Sequence, residues 1–210
     1  MSSYVAIANL AATTIGTAAR LTTPGDDTTL GRAVASVWEM ERQAALRDGA
    51  WNFAMKRDSL PALTDAPAHQ FQTRYQLPAD CIRLIEIYEL ARDRWQVEGR
   101  AINADHTGPL KIRYLADIAE PALFDPLFAK AFALRIACSI GNRIAGSMFK
   151  EELNWEKYRQ ALAEARRVDA MENPPIEPYE SNWVSDRWLG SAAGVGHSEY
   201  GFGPDPGGWW

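Results

Sequence analysis

A chain of 210 residues has room for one domain, or one domain with an arm. With 47% hydrophobic and 23% charged residues it has an ordinary globular composition, long enough to bury a core without disulfide or metal staples. The net charge of -5 argues against a basic nucleic-acid-binding surface, and the longest apolar stretch, 127–140, is broken by Lys130 and Arg135, which argues against a membrane span. No Lys or Arg precedes Arg20, so a secretory leader is not expected. Cys81 and Cys138 lie far apart in apolar surroundings, which suits buried thiols in a reducing compartment.

In chain order, residues 5–15 are small and apolar and predict a first helix. Pro24, Gly25, Asp26 and Asp27 make a turn, and Asp27 or Thr28 is placed to cap the next helix, 29–48. Leu30, Val34, Val37, Trp38 and Ala45 recur on one face of it, and Gly49 is read as its stop. Lys56 and Arg57 then lead into a loop holding Pro61 and Pro67.

From Phe71 the period changes. Residues 71–77 read as extended, 81–90 as a strand apolar on both faces, and 95–103 as strands broken at Gly99. Leu110, Ile112 and Tyr114 alternate with Lys111 and Arg113, a half-exposed strand. The linkers are too short for parallel crossovers, so one small antiparallel sheet is predicted. Residues 121–148 return to helix, apolar almost all round and therefore central. An amphipathic helix follows over 150–171, with Trp155, Tyr158, Leu162, Ala165 and Val168 inward, and Pro174-Pro175 ends it.

The last 38 residues differ in kind. They hold four of the eight Trp, seven of the fifteen Gly and five of the twelve Pro. Five acids (Glu177, Glu180, Asp186, Glu199 and Asp205) against Arg187 give them a charge of -4, leaving -1 for the first 172 residues. Such a segment reads as an arm that wraps a partner. The expected fold is α+β: mainly α, a helical bundle split into 1–70 and 118–172, with a small antiparallel sheet inserted at 71–117 and an extended arm at 173–210.

Chemistry is harder to find. His69, His106 and His197 lack a partner at metal-ligand spacing, and no phosphate-cradling glycine pattern occurs. Gly196-His197-Ser198-Glu199-Tyr200 lacks the second glycine of a nucleophile elbow. Glu151-Glu152 could imitate a glycosidase pair, but at a helix start they read more simply as partners for the helix dipole. No enzyme activity, cofactor or metal is expected.

Two phrases stand out: Trp51-Asn52-Phe53-Ala54, and Tyr75-Gln76-Leu77-Pro78-Ala79-Asp80-Cys81. They are followed by Val97-Glu98-Gly99-Arg100, by 109–114, and by Phe124-Asp125-Pro126-Leu127-Phe128 opening an Ala-rich helix. In this order, over roughly 29–171, the chain resembles the tail tubular protein A family, the head-to-tail adaptors of short-tailed bacteriophages. The resemblance implies a structural virion protein of the phage neck, made in the host cytoplasm. It implies a ring, usually of twelve copies, between the portal protein and a tail nozzle of the tail tubular protein B type. Fibres or spikes are sometimes attached, and genomic DNA passes through the lumen without sequence-specific binding. On this reading Trp183, Trp188, Trp209 and Trp210 of the arm contact the portal or a neighbouring copy. Arg92, Arg94, Lys111 and Arg113 offer a basic surface to the tail side, the alternative being that they keep a sheet edge soluble. A peptidoglycan hydrolase and a cellular peptide-binding adaptor are the competing readings.

Overall fold

A computed structural model describes residues 2–173. The arm tryptophans Trp183, Trp188, Trp209 and Trp210 lie outside the described residues.

Local chemistry sets the helix ends. Ser3 caps α1 (Tyr4–Ile15) by accepting from the Ala6 N–H. α2 (Thr29–Arg47) is capped by Thr28, which accepts from the Gly31 N–H, while Asp27 pairs with Arg32 instead. α3 (Pro126–Ala145) starts at Asp125, whose carboxylate accepts from the Leu127 and Phe128 N–H groups, with Pro126 in the first helical position. α4 (Glu151–Met171) carries Glu151 and Glu152 in its first turn, where the helix dipole favours them. Gly49 follows α2 as expected but does not act as a left-handed stop. It is glycine because a Cβ there would sit 2.4 Å from the Trp51 indole.

α3 packs against α1, α2 and α4, as its apolar circumference predicts. Phe128, Phe132, Ile136 and Ile140 are fully buried along it. Trp38 of α2 meets Phe132 edge-on at 4.9 Å and Tyr4 of α1 at 4.2 Å, so three helices share one aromatic contact.

The strands correct the sequence reading in two ways. First, they begin at Met55 rather than Phe71: β1 (Met55–Leu60) occupies the stretch read only as leading into a loop. Its middle residues are exposed, so no alternation announces it, and pairing with β6 alone makes it a strand. Second, there are two three-stranded antiparallel sheets in place of one. β2 (Thr73–Gln76), β3 (Cys81–Ile87), β4 (Trp95–Glu98), β5 (Ala101–Ala104) and β6 (Leu110–Ala116) complete the set. One sheet has the order β1-β6-β3 and the other β2-β5-β4. β4 and β5 form the hairpin read from Gly99, which takes φ +61° in a two-residue turn, a conformation open to glycine. The α+β class holds: the described residues form four α-helices with the strands placed between α2 and α3. No helix among the described residues is long and apolar enough to cross a membrane.

Ahead of α2, the Asp26 carboxylate gathers Thr22 and Thr23. The Thr23 hydroxyl, then the Thr22 and Thr23 N–H groups, hold its pKa down to about 2. A carboxylate lowered by folding adds stability above its unfolded pKa, here near 3.8, and that stability is lost as pH falls through the folded value. The turn before α2 should therefore loosen as pH drops from 3.8 to about 2. Carboxyl carbon chemical shifts should place the Asp26 midpoint near the lower figure; an ordinary aspartate midpoint would mean that the cage does not form in solution.

Candidate functional site

The two phrases that carry the family resemblance both sit at fold junctions. The Trp51 indole N–H donates to the Ala45 carbonyl at 3.1 Å, tying the end of α2 to the turn beyond it. The Asn52 backbone N–H donates to Asp169 Oδ1 at 2.9 Å, and its side-chain amide to the Asp169 carbonyl at 2.6 Å, which fixes the end of α4. Phe53 packs on Phe124 and Phe128 at the start of α3. In the second phrase, the Tyr75 hydroxyl lies 2.9 Å from both the His106 and Gly108 carbonyls. Asp80 accepts from Lys56 at 2.7 Å and from the Tyr114 hydroxyl at 3.1 Å, joining β1, β3 and β6. The Lys56 contact is the main reason that the Asp80 pKa is lowered.

The four cations assigned to a tail-side surface are carried by two elements, β6 and the turn ahead of β4. Lys111 and Arg113 lie on β6, the central strand of its sheet, so they do not guard an edge. Lys111 pairs with Glu89 at 2.8 Å, and Arg113 stands in register between Arg57 and Glu86. Arg92 and Arg94 lie in the 3-10 turn Arg92–Arg94 ahead of β4. Arg94 donates to the Asp105 carbonyl, while Arg92 lies over the Trp95 ring at 4.7 Å.

Arg92 does belong to a cationic cluster, with partners that sequence reasoning missed. A groove of about 580 Å³ is lined by Arg47 from the end of α2, Arg83 from β3, Arg92, and Arg100 from the hairpin turn. Leu84, Trp95 and Val97 supply apolar surface, and no Asp or Glu among the described residues lines it. Three of the arginines are held by backbone carbonyls: Arg47 by Ile82 at 2.9 Å, Arg83 by Gly49 at 3.1 Å, and Arg100 by Pro78 at 2.6 Å and Ala79 at 3.0 Å. Arg83 also lines the recess that holds Asp48 and Asp169, where its guanidinium meets Gly49, so the positive potential of the groove comes chiefly from Arg47, Arg92 and Arg100. Asp80 and Asp117 line an adjoining recess with Arg47 and Arg100. Asp80 is taken by Lys56 and Tyr114, and Asp117 by Arg42 and Gln43. β3 and β4, which both contribute to the groove, are the edge strands of their sheets.

Among the described residues, both thiols and the carboxylates of Asp48 and Asp169 are shielded or already partnered. Burial raises the Cys81 thiol and, helped by Glu151 and Glu41, pushes Cys138 up to about 11, so neither is a ready thiolate. A second recess of about 440 Å³ contains Asp48 and Asp169. Burial raises Asp169, but its Oδ1 already accepts from Asn52, and Asp48 accepts from Tyr158 at 2.6 Å and Arg135 at 2.9 Å. No group of three His, Cys, Asp or Glu side chains among the described residues is arranged to hold a metal.

Comparison with protein-family models finds no match for this chain, and comparison with curated proteins finds no relative. The fold and groove therefore define it as an α+β protein with a structured cationic surface on an otherwise acidic molecule.

Proposed function

We propose that this chain is a structural virion protein, a ring-forming head-to-tail adaptor that joins a portal to a tail nozzle and lines the DNA ejection channel. The observation that carries this reading is the role of the two resemblance phrases. Trp51-Asn52-Phe53-Ala54 and Tyr75-Gln76-Leu77-Pro78-Ala79-Asp80-Cys81 join a helical bundle to its inserted strands, and their polar groups are spent on the fold. The resemblance to the adaptor family, on this reading, rests on architecture. In this reading 173–210 is an extended arm that anchors to the portal or to a neighbouring copy, and about twelve copies close a heterologous ring. The channel passes DNA without sequence-specific contacts, because a wall that neutralised many phosphates would hold DNA in a salt-dependent way.

The test is association with capsids. The protein should be recovered with a portal, and imaging of the complex should give twelvefold density; a chain never recovered with any portal refutes the proposal. Charge reversal at Arg92, Arg94, Lys111 and Arg113 should weaken nozzle attachment and leave portal attachment intact. Given the division of these residues, Arg92→Glu and Arg94→Glu are expected to account for most of that loss. Unchanged nozzle attachment would return all four residues to a role in solubility.

A further inference from the structure

We infer that the arginine groove receives the acidic, tryptophan-bearing segment 174–210 of a second copy of this chain. Charge complementarity comes first. Among the described residues the groove presents Arg47, Arg92 and Arg100, with Arg83 shared with the recess of Asp48 and Asp169, and no carboxylate lines it. The segment carries five acids against one arginine. Shape chemistry comes second. Five prolines and seven glycines in the last 38 residues disfavour helix, so the segment suits binding as an extended chain. Two edge strands, β3 and β4, border the groove, and an edge strand offers backbone groups to an added extended chain. Side-chain order comes third. Alternate residues of an extended chain share a face, which puts Glu180, Val184, Asp186 and Trp188 together. That face offers carboxylates to the arginines and apolar surface to Trp95, Val97 and Leu84.

The choice of a second copy over the chain's own segment rests on the adaptor reading. A segment of one copy seated in a groove of the next is a heterologous contact, and such contacts close into rings. The groove assignment itself rests on the charge and edge geometry alone.

The test uses the full chain. Val97, 40% exposed on the groove wall, is replaced (Val97→benzoylphenylalanine) as a photoreactive probe. This chain is mixed with an isotope-labelled copy, irradiated, and the cross-linked peptides are read by mass spectrometry. Cross-links should join the groove to peptides within 174–210 of the labelled copy. Arg47→Glu with Arg92→Glu should lower their yield roughly tenfold, and high salt should lower it too. A labelled copy carrying Glu180→Arg and Asp186→Arg should restore it. Arg92→Glu alone should give a partial loss, and it keeps the comparison sound if the double variant is unstable, since Arg92 makes no hydrogen bond among the described residues. Cross-links confined to the chain's own segment overturn the second-copy assignment. Cross-links elsewhere, or none, overturn the groove assignment, and neither result alters the portal-association test.

Discussion

Trp51→Ala should cost about 3–5 kcal/mol of folding stability. The side chain is 1% exposed. Its ring meets Phe128 edge-on at 5.0 Å and stacks near Phe53 at 6.4 Å. It also fills the space left open by the missing side chain of Gly49. The substitution thus leaves a hole beside a residue that has no side chain to refill it, and it deprives the Ala45 carbonyl of its indole partner. A domain of this size holds only about 5–15 kcal/mol in reserve, so a large share goes with one ring. The melting temperature should fall by roughly 10 °C, and the urea midpoint should fall with an unchanged slope. Trp51→Phe keeps most of the ring and loses the hydrogen bond, so it should cost about 1–2 kcal/mol. If Trp51→Ala unfolds at the wild-type midpoint, the junction does not organise the fold.

Arg135→Leu should be nearly as damaging, at about 3 kcal/mol. Arg135 leaves the apolar face of α3 and ties three helices together. Its Nε donates to Glu41 on α2 at 2.6 Å, and one Nη donates both to Asp48 at 2.9 Å and to the Tyr158 hydroxyl of α4 at 2.8 Å. The Tyr158 hydroxyl in turn donates to Asp48. Burial and the Asp48 contact push that phenol up to about 12, so it remains a donor at neutral pH. The Arg135 and Glu41 side chains are 18% and 17% exposed, so removing the cation strands a carboxylate with little access to water. Asp48 is more open at 35%, which sets the expected loss at the lower end of the range for broken buried pairs. Adding Glu41→Gln and Asp48→Asn to Arg135→Leu should recover part of the stability, because the cost lies in the unpaired charges. If the triple variant is no more stable than the single one, lost packing by the arginine stem is the cause instead. Denaturant melts of the three proteins decide this.

The two variants mark where sequence reading succeeds and where it stops. α3 begins at Pro126 rather than at the expected 121, whereas Thr28 acts within one turn of its own helix, so the start of α2 was legible from neighbouring residues. The same holds for the Gly99 hairpin and for the centrality of α3, whose apolar periodicity needs no partner to be read. Trp51 and Asn52 stood out as a phrase, yet their task appears only when Asp169, 117 residues further on, is brought beside them.

β1 was missed for a related reason. Met55–Leu60 alternates in nothing, and its strand character comes from the register with β6, Met55 opposite Leu115 through Leu60 opposite Leu110. The division into two sheets was hidden too, because successive strands change sheets and strand order is a property of pairing, not of any one segment. The arginine groove is the plainest case. Arg47, Arg83, Arg92 and Arg100 share no motif, and each would pass alone for a solvated surface charge. Composition alone determined that the chain is globular and that its acid and tryptophan crowd toward the last 38 residues. Tertiary structure decided that four arginines from α2, β3 and the β4–β5 region line one groove with no carboxylate among its described residues. Electrostatic potential sums over distance in space, and a linear sequence holds no record of which distances become short.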